Sequence, residues 1–73
     1  MKFRFTNHAK SQLLDRDIAL SRAIETIRKP DSVEPAPGNV LACRKLFENG
    51  ILEVICVRSR SKNEYLIITA YYR

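Results

Sequence analysis

The sequence has few of the residues that metal sites and most enzyme classes require. It contains two cysteines and one histidine, which is too few for a structural zinc site with its four ligands. It also lacks a catalytic carboxylate pair, a nucleophile elbow and a glycine-rich phosphate loop. Most familiar enzyme classes are therefore excluded, and we expect neither a metal nor a cofactor.

Long apolar runs are also missing. No stretch reaches the length of a membrane span, and residues 1–6 alternate between apolar and polar types instead of forming the apolar region of a signal peptide. We therefore expect a cytoplasmic protein with no membrane partner. In that reducing compartment, Cys43 and Cys56 are expected to be buried thiols and not a disulfide.

Length and charge limit the possibilities further. The 73 residues, 45% of them hydrophobic, suit a single domain spanning residues 1–73 with a modest core. The formal charge of +5 favours a polyanionic partner, although a basic surface also keeps a small protein soluble. Nucleic acid is therefore the leading class of partner.

The clearest structural signal is a β-hairpin at Asn49-Gly50, between apolar runs at 40–43 and 51–57. A two-residue loop formed by Asn49 and Gly50 would place Cys43 opposite Cys56 across the hairpin. One face then suits the core, and it carries Cys43, Phe47, Leu52, Val54 and Cys56, with Lys45 among them. The other face carries Leu46, Ile51 and Ile55, with Arg44 and Glu53.

A third apolar run, 65–72, is expected to complete an antiparallel meander after the polar loop that precedes it. Its even positions suit the core, and they are Leu66, Ile68, Ala70 and Tyr72. Its odd positions are expected on the face of Arg44, and they are Tyr65, Ile67, Thr69 and Tyr71.

The first half of the chain predicts a short edge strand and two helices. Residues 1–6 alternate as a strand, and Asn7 is a suitable N-cap for a helix over 8–16. An apolar stripe predicts a second helix from about 19 to 29, which Pro30 ends. Residues 31–39 contain two prolines and a glycine and are expected to form a stiff surface connection. The expected order is β-α-α-β-β-β, an α+β domain.

His8, at the start of the first helix, is the one imidazole available for proton transfer. A lone histidine in this position more often caps or packs. The sharper hypothesis combines it with Thr69 and Tyr71, while Arg44 stabilises an anion. Such a set suits metal-independent RNA cleavage, because the 2′-hydroxyl of RNA is its own nucleophile.

Further residues are candidates for holding the RNA. The basic side chains in this group would contact the phosphate backbone, and a tyrosine would stack on an unpaired base. The substrate-binding candidates are Lys10, Lys45, Arg58, Arg60, Lys62 and Tyr65.

Several short motifs together resemble a family of short bacterial and phage proteins. The matching segments are Phe5 to Ala9, Leu13 to Arg16 with Ile18, Pro30-Asp31, Leu52 to Ile55, and Ile67 to Tyr71. Members of that family typically read F-S-x-H-A, E-R-G-I, L-x-V-V and I-x-T-x-Y, and the family is similar to the RelE/ParE toxin superfamily. This superfamily shares its fold with barnase, EndoU, the colicin ribonucleases and RelE.

The resemblance implies a RelE-like fold, in which two helices pack on one face of a twisted antiparallel sheet, with RNA cleavage on the other face. It also implies a toxin that acts on RNA, either free or as ribosome-bound messenger RNA, with an antitoxin protein as partner. The family's functional positions match His8, Arg44, Thr69 and Tyr71. The sequence departs from the pattern at Gln12, where arginine is usual, and at Asp17, where glycine is usual.

Three alternatives stay open at the level of sequence. Thr69 and Tyr71 are strong strand formers, and Arg44 is a possible partner of Glu53, so these residues would also fit a purely structural role. The same basic face would equally serve a non-catalytic nucleic-acid-binding module. A third hypothesis is a protein-interaction domain whose open face docks a partner helix.

Overall fold

The computed structural model describes residues 1–73 and shows two helices and five strands in the order β-α-α-β-β-β-β. Strand β1 spans Lys2–Phe5, helix α1 Asn7–Asp15, helix α2 Leu20–Arg28 and strand β2 Ser32–Ala36. The three long strands follow as β3, Val40–Phe47, β4, Gly50–Ser59, and β5, Glu64–Tyr72. The predicted α+β class is confirmed, with one strand more than expected.

The five strands form one mixed sheet in the order β1-β5-β4-β3-β2. Strand β1 lies at an edge, as predicted, and runs parallel to β5, while all other pairs are antiparallel. The extra strand β2 occupies the opposite edge, where we expected an irregular connection. Pro35 lies within β2 opposite Leu41, which an edge strand permits because one side of its backbone needs no partner in the sheet.

Both helices cover the same face of the sheet. Their buried residues Ala9, Leu13, Ala23 and Ile27 share one core with the sheet residues Cys43, Leu52, Val54, Cys56, Ile67 and Ala70. The opposite face has no helix over it. This arrangement gives the sheet a helix-covered face and an open face, and alternation along each strand decides which side chains reach which.

The helix ends differ slightly from those expected. Thr6, not Asn7, caps α1, because its hydroxyl accepts a 3.0 Å hydrogen bond from the amide of Ala9. Asp17 follows α1 in the left-handed region, with φ of 54°, so a non-glycine residue makes the turn after the helix. Helix α2 begins and ends within a residue of the prediction.

The hairpin between β3 and β4 forms with a register two residues away from the predicted one. Its loop residues are Glu48 and Asn49, so Phe47 faces Gly50 and Arg44 faces Glu53. A two-residue shift leaves every side chain on the same face, which is why the hydrophobic pattern could not exclude it. The observed register brings opposite charges together at Arg44 and Glu53.

The predicted opposition of Cys43 and Cys56 is therefore wrong, since Cys43 faces Val54 and Cys56 faces Leu41. Both cysteines are free and buried, as expected for apolar core residues. Their thiols still lie close enough to interact, and a hydrogen bond from Cys56 lowers the pKa of Cys43. This contact and burial raise the pKa of Cys56, so it stays a thiol.

A bulge in β5 changes the expected faces of half of that strand. Thr69 pairs with Ile55 but Ile67 pairs with Cys56, which leaves Ile68 as the extra residue. Thr69 and Tyr71 face the open side as predicted. Tyr65 and Ile67 instead turn to the helix-covered face, where Ile67 is completely buried, so the prediction for them and for Leu66 is wrong.

Candidate active site on the open face of the sheet

A buried carboxylate, Glu53, lies at the centre of the polar residues of the open face. Its neighbours on β4, Leu52 and Val54, are completely buried against the helices. Alternation therefore points Glu53 to the side that no helix covers. The residue is nevertheless only 6% exposed, so other side chains of the open face must cover it.

Three side chains surround the Glu53 carboxylate and account for this burial. The Arg44 Nε donates a 2.7 Å hydrogen bond to Oε1, and the Arg73 Nη1 lies 3.3 Å from the same oxygen. The phenol of Tyr71 donates a 2.6 Å hydrogen bond to Oε2. We call Glu53, Arg44, Arg73 and Tyr71 the Glu53 cluster.

The cluster fixes the protonation states of its members. The hydrogen bond from Tyr71, followed by that from Arg44, holds the pKa of Glu53 below its usual range. The same contact with Glu53, with some desolvation, raises the pKa of Tyr71. At neutral pH, Glu53 is therefore a carboxylate that accepts hydrogen bonds from its neighbours, and Tyr71 is a protonated donor.

Arg44 has a second acidic partner outside the cluster. Its Nη2 donates a 2.9 Å hydrogen bond to Oε1 of Glu34, on the edge strand β2. The Glu34 side chain is 68% exposed, and an exposed ion pair of this kind contributes little to stability. With Glu34 included, two arginines face two glutamates, so this part of the open face has no formal net charge. The prediction that Glu53 partners Arg44 is confirmed.

Thr69 connects the open face to helix α1 through Gln12. The hydroxyl of Thr69 donates to Oε1 of Gln12, and one turn later Arg16 donates a 2.8 Å hydrogen bond to the carbonyl of Ala70. Strand β1 ends at Phe5, which pairs with Ile67. Beyond that point β1 no longer pairs with β5, and polar side chains of α1 form hydrogen bonds to this edge of β5 instead.

His8 lies at the margin of this arrangement. It is exposed in the first turn of α1 and is not among the side chains that form hydrogen bonds or ion pairs. It precedes Gln12 by four residues, so the two lie on the same side of the helix. The structure thus brings Arg44, Thr69 and Tyr71 to one face, with His8 one helical turn from the Thr69 contact. Its catalytic role stays a prediction.

The six substrate-binding candidates do not gather at the Glu53 cluster. Lys45 is on the helix-covered face, where its Nζ donates a 2.8 Å hydrogen bond to the carbonyl of Lys29. Tyr65 is on that face too, stacked on Phe3 with ring centroids 5.8 Å apart. The remaining candidates are exposed on α1, at the end of β4 or in the loop after it, and they are Lys10, Arg58, Arg60 and Lys62.

From the sequence, Glu53 is predicted only as a partner of Arg44, and Arg73 is not included in the site. A signal for Glu53 was present, because an acidic residue interrupts an apolar strand and alternates onto the face of Arg44. Arg73 had no comparable signal, since it follows the last strand and reaches Glu53 only through the β4–β5 pairing.

Comparison with known protein families gives a match over nearly the whole chain. Residues 5–72 match the family model described as a domain of unknown function, DUF4258. The chain belongs to the DUF4258 family. No curated protein matches the chain.

Two further observations concern membranes and metal ions. No helix of the structure is long and apolar enough to cross a membrane. No three side chains of the His, Cys, Asp and Glu types lie where they would hold a metal ion together.

Proposed function

We propose that this DUF4258 domain is a toxin-like endoribonuclease of the cytoplasm that cleaves RNA without a metal ion. The observation that carries the proposal is the Glu53 cluster: one buried carboxylate holds two guanidinium groups and a phenol on the face that the helices leave open. The resemblance to the RelE/ParE superfamily supports the same function. It also supports an antitoxin protein as partner.

The chemistry would be transesterification within the RNA. The 2′-oxygen loses its proton and forms a bond to the adjacent phosphorus, and the bond from phosphorus to the 5′-oxygen breaks. The leaving 5′-oxygen takes up a proton, so the products are a 2′,3′-cyclic phosphate and a 5′-hydroxyl. The protein must assist two proton transfers and stabilise the charge on the phosphorane.

Arg44 and Arg73 are suited to stabilise that charge. Guanidinium groups bind phosphate oxygens in pairs of hydrogen bonds, and Glu53 holds both groups in fixed positions before substrate arrives. The exposed contact between Arg44 and Glu34 is the one that a phosphate group would displace most easily. Glu53 itself is a positioning residue, because its lowered pKa makes it a weak base.

Tyr71 and His8 are the candidates for the proton transfers. Tyr71 is a protonated donor beside both guanidinium groups, placed to donate to the leaving oxygen or to orient the phosphate. His8 has no competing side-chain partner and belongs to the residue type that exchanges protons near neutral pH. Thr69 is on the same strand as Tyr71, two residues before it, and its hydroxyl donates to Gln12 on the helix that carries His8.

The test is incubation of the pure protein with labelled RNA in EDTA, with analysis of the new ends. We expect cleavage that survives chelation, leaves 2′,3′-cyclic phosphate, and is lost in His8→Ala. Products with a 3′-hydroxyl would contradict the proposal. Because some toxins act only on the ribosome, the same assay is run with ribosomes and messenger RNA, and failure in both formats rejects the nuclease.

The toxin hypothesis has a cellular test of its own. We expect expression of the wild-type chain to inhibit bacterial growth and Glu53→Gln to relieve the inhibition at equal protein level. Glu34→Gln, which removes an exposed partner of the same arginine, is the matched control and should remain toxic. Growth that is unaffected by the wild-type protein would contradict a toxin.

A second candidate is a non-catalytic nucleic-acid-binding module. The observation in its favour is that the pKa of Glu53 is lowered and that of Tyr71 is raised, so neither is tuned for proton transfer near neutral pH. In that case Arg44→Gln would weaken RNA binding, whereas His8→Ala would change nothing. A salt-insensitive, weak affinity for RNA would instead favour the protein-interaction hypothesis.

A further inference from the structure

A cleft at the end of the sheet opposite the β3–β4 turn is lined by two arginines and by a tight turn. It has a volume of about 320 Å³ and lies where the β2–β3 turn meets the end of β4. Its lining includes Pro35, Gly38, Asn39, Leu41, Arg58 and Arg60. We call it the Arg58 cleft.

The two arginines of the cleft have no acidic partner. Neither Arg58 nor Arg60 takes part in any of the five ion pairs of the structure. Glu64, on the adjoining strand β5, pairs with Ser59 in the sheet and therefore points to the open face. Its carboxylate lies 3.8 Å from Arg4. Glu53 and Glu34 together compensate the two guanidinium charges of the Glu53 cluster, but no carboxylate pairs with those of the cleft.

The backbone of the turn adds hydrogen-bond donors to this charge. Gly38 and Asn39 are consecutive left-handed residues, with φ of 81° and 61°. The amides of both residues donate to no backbone or side-chain acceptor. Successive free amides beside guanidinium groups form the kind of concave donor set that binds anions.

The cleft is held together before any ligand binds. The amide of Arg58 donates a 2.9 Å hydrogen bond to the carbonyl of Asn39, which ties the strand to the turn. The Arg58 guanidinium lies 5.8 Å from the centroid of the Tyr65 ring, and that ring is stacked on Phe3. Such restraints reduce the ordering that a ligand must impose.

We propose that the Arg58 cleft is a binding site for a phosphate group, distinct from the Glu53 cluster. The side chains of β4 at even positions, including Arg58, point away from the open face that carries Glu53. The two sites therefore lie on opposite faces of the sheet. The phosphate comes either from a mononucleotide or from the backbone of a nucleic acid.

The proposal does not rest on the proposed function. A protein that binds phosphate in the cleft but cleaves no RNA sustains this inference and contradicts the nuclease. A protein that cleaves RNA but binds no phosphate in the cleft sustains the nuclease and contradicts this inference. The readout is therefore binding, followed at individual backbone amides by NMR during a titration with inorganic phosphate at constant ionic strength.

We expect saturable shifts at the amides of Gly38 and Asn39, with chloride at the same ionic strength giving none. The double variant R58Q/R60Q should bind phosphate roughly tenfold more weakly or worse. The matched control R28Q/K29Q removes the same charge from the end of α2, and its affinity should stay within about twofold, since distant surface charges are screened by salt. Arg58 packs on Tyr65, so replacing it can also disturb the fold. The single variant R60Q, in the exposed loop, leaves this contact intact and so separates a loss of binding from a loss of folding.

Two further titrations distinguish the sources of the phosphate. Adenosine 5′-monophosphate carries a terminal phosphate, and a short RNA without terminal phosphates carries phosphodiesters alone. Saturable shifts at Gly38 and Asn39 with either ligand support the site and name its source. Absence of shifts with every phosphate ligand, or equal weakening in R58Q/R60Q and R28Q/K29Q, would overturn the proposal.

Discussion

The two faces of the same sheet are built by different interactions. On the helix-covered face, Leu52, Val54 and Cys56 are completely buried in an apolar core. On the open face, the residue between the first two, Glu53, is almost as buried, but charged and hydroxyl groups do the covering. The difference indicates that apolar packing holds one face together and that ion pairs and hydrogen bonds hold the polar groups of the other in place.

The largest effect should come from the helix-covered face. We expect Leu52→Ala to lower the free energy of unfolding by about 2–5 kcal/mol, because it leaves a cavity in a closed core. Its neighbour Ile51 is on the open face and 41% exposed, so Ile51→Ala should cost roughly 1 kcal/mol or less. Urea denaturation of both variants checks the comparison, and equal losses would show that the open face is also a packed core.

A smaller loss of stability is expected at the Glu53 cluster. Glu53→Gln keeps the shape but weakens charge-assisted hydrogen bonds from Arg44, Arg73 and Tyr71, and we expect a loss of about 1–3 kcal/mol. The control Glu34→Gln breaks an exposed pair with the same arginine and should cost roughly 0–1 kcal/mol. If the two variants unfold at the same urea concentration, Glu53 does not organise the open face.

The cluster should also make stability depend on pH at both ends of the range. The pKa of Glu53 is lower in the folded protein, so its contribution is present above the unfolded pKa of about 4.3 and is lost as the pH falls below it. The pKa of Tyr71 is raised, so its contribution is present below the unfolded pKa of about 10 and is lost at higher pH.

Thermal unfolding across this pH range checks both signs with two variants. Glu53→Gln should flatten the acidic decline, and Tyr71→Phe should flatten the alkaline one. Tyr72→Phe alters the neighbouring phenol, which faces the helices, and should leave the alkaline decline unchanged. An alkaline decline that persists in Tyr71→Phe but disappears in Tyr72→Phe would contradict the hydrogen bond to Glu53.

The smallest effect is expected where helix α1 meets the edge of β5. A double-mutant cycle of Thr69→Val and Gln12→Leu should give a coupling free energy of about 0.5–1.5 kcal/mol, the range for a neutral hydrogen bond. The cycle is measured by urea denaturation. Coupling near zero would mean that this contact does not fasten α1 to the strand.

Alternation in the sequence was sufficient to assign the faces of β3 and β4. Period-two patterning separates Cys43 and Leu52 from Arg44 and Glu53 in both the predicted and the actual register. The two registers differ by two residues, and an even shift keeps every side chain on its face. The same pattern could not locate the bulge at Ile68, since residues 65–68 are apolar or aromatic at every position. Tyr65 was therefore assigned to the wrong face.

The features that the sequence could not predict depend on distant partners. Strand β2 was missed because Pro35 argues against a strand, and only its position at the sheet edge permits it. The burial of Glu53 depends on Arg73 and Tyr71, which reach it from β5 and the residue after it. Arg44 and Tyr71 could be placed on one face, but their common carboxylate required the folded sheet.

The central claim, that the open face cleaves RNA, is tested most directly by Tyr71→Phe beside Tyr72→Phe. The two substitutions remove the same atom from neighbouring residues that point to opposite faces of one strand. With saturating protein and labelled RNA in EDTA, we expect Tyr71→Phe to slow single-turnover cleavage roughly tenfold or more and Tyr72→Phe to retain the wild-type rate. Equal rates in the two variants, or a slower rate in Tyr72→Phe, would contradict an active site on the open face.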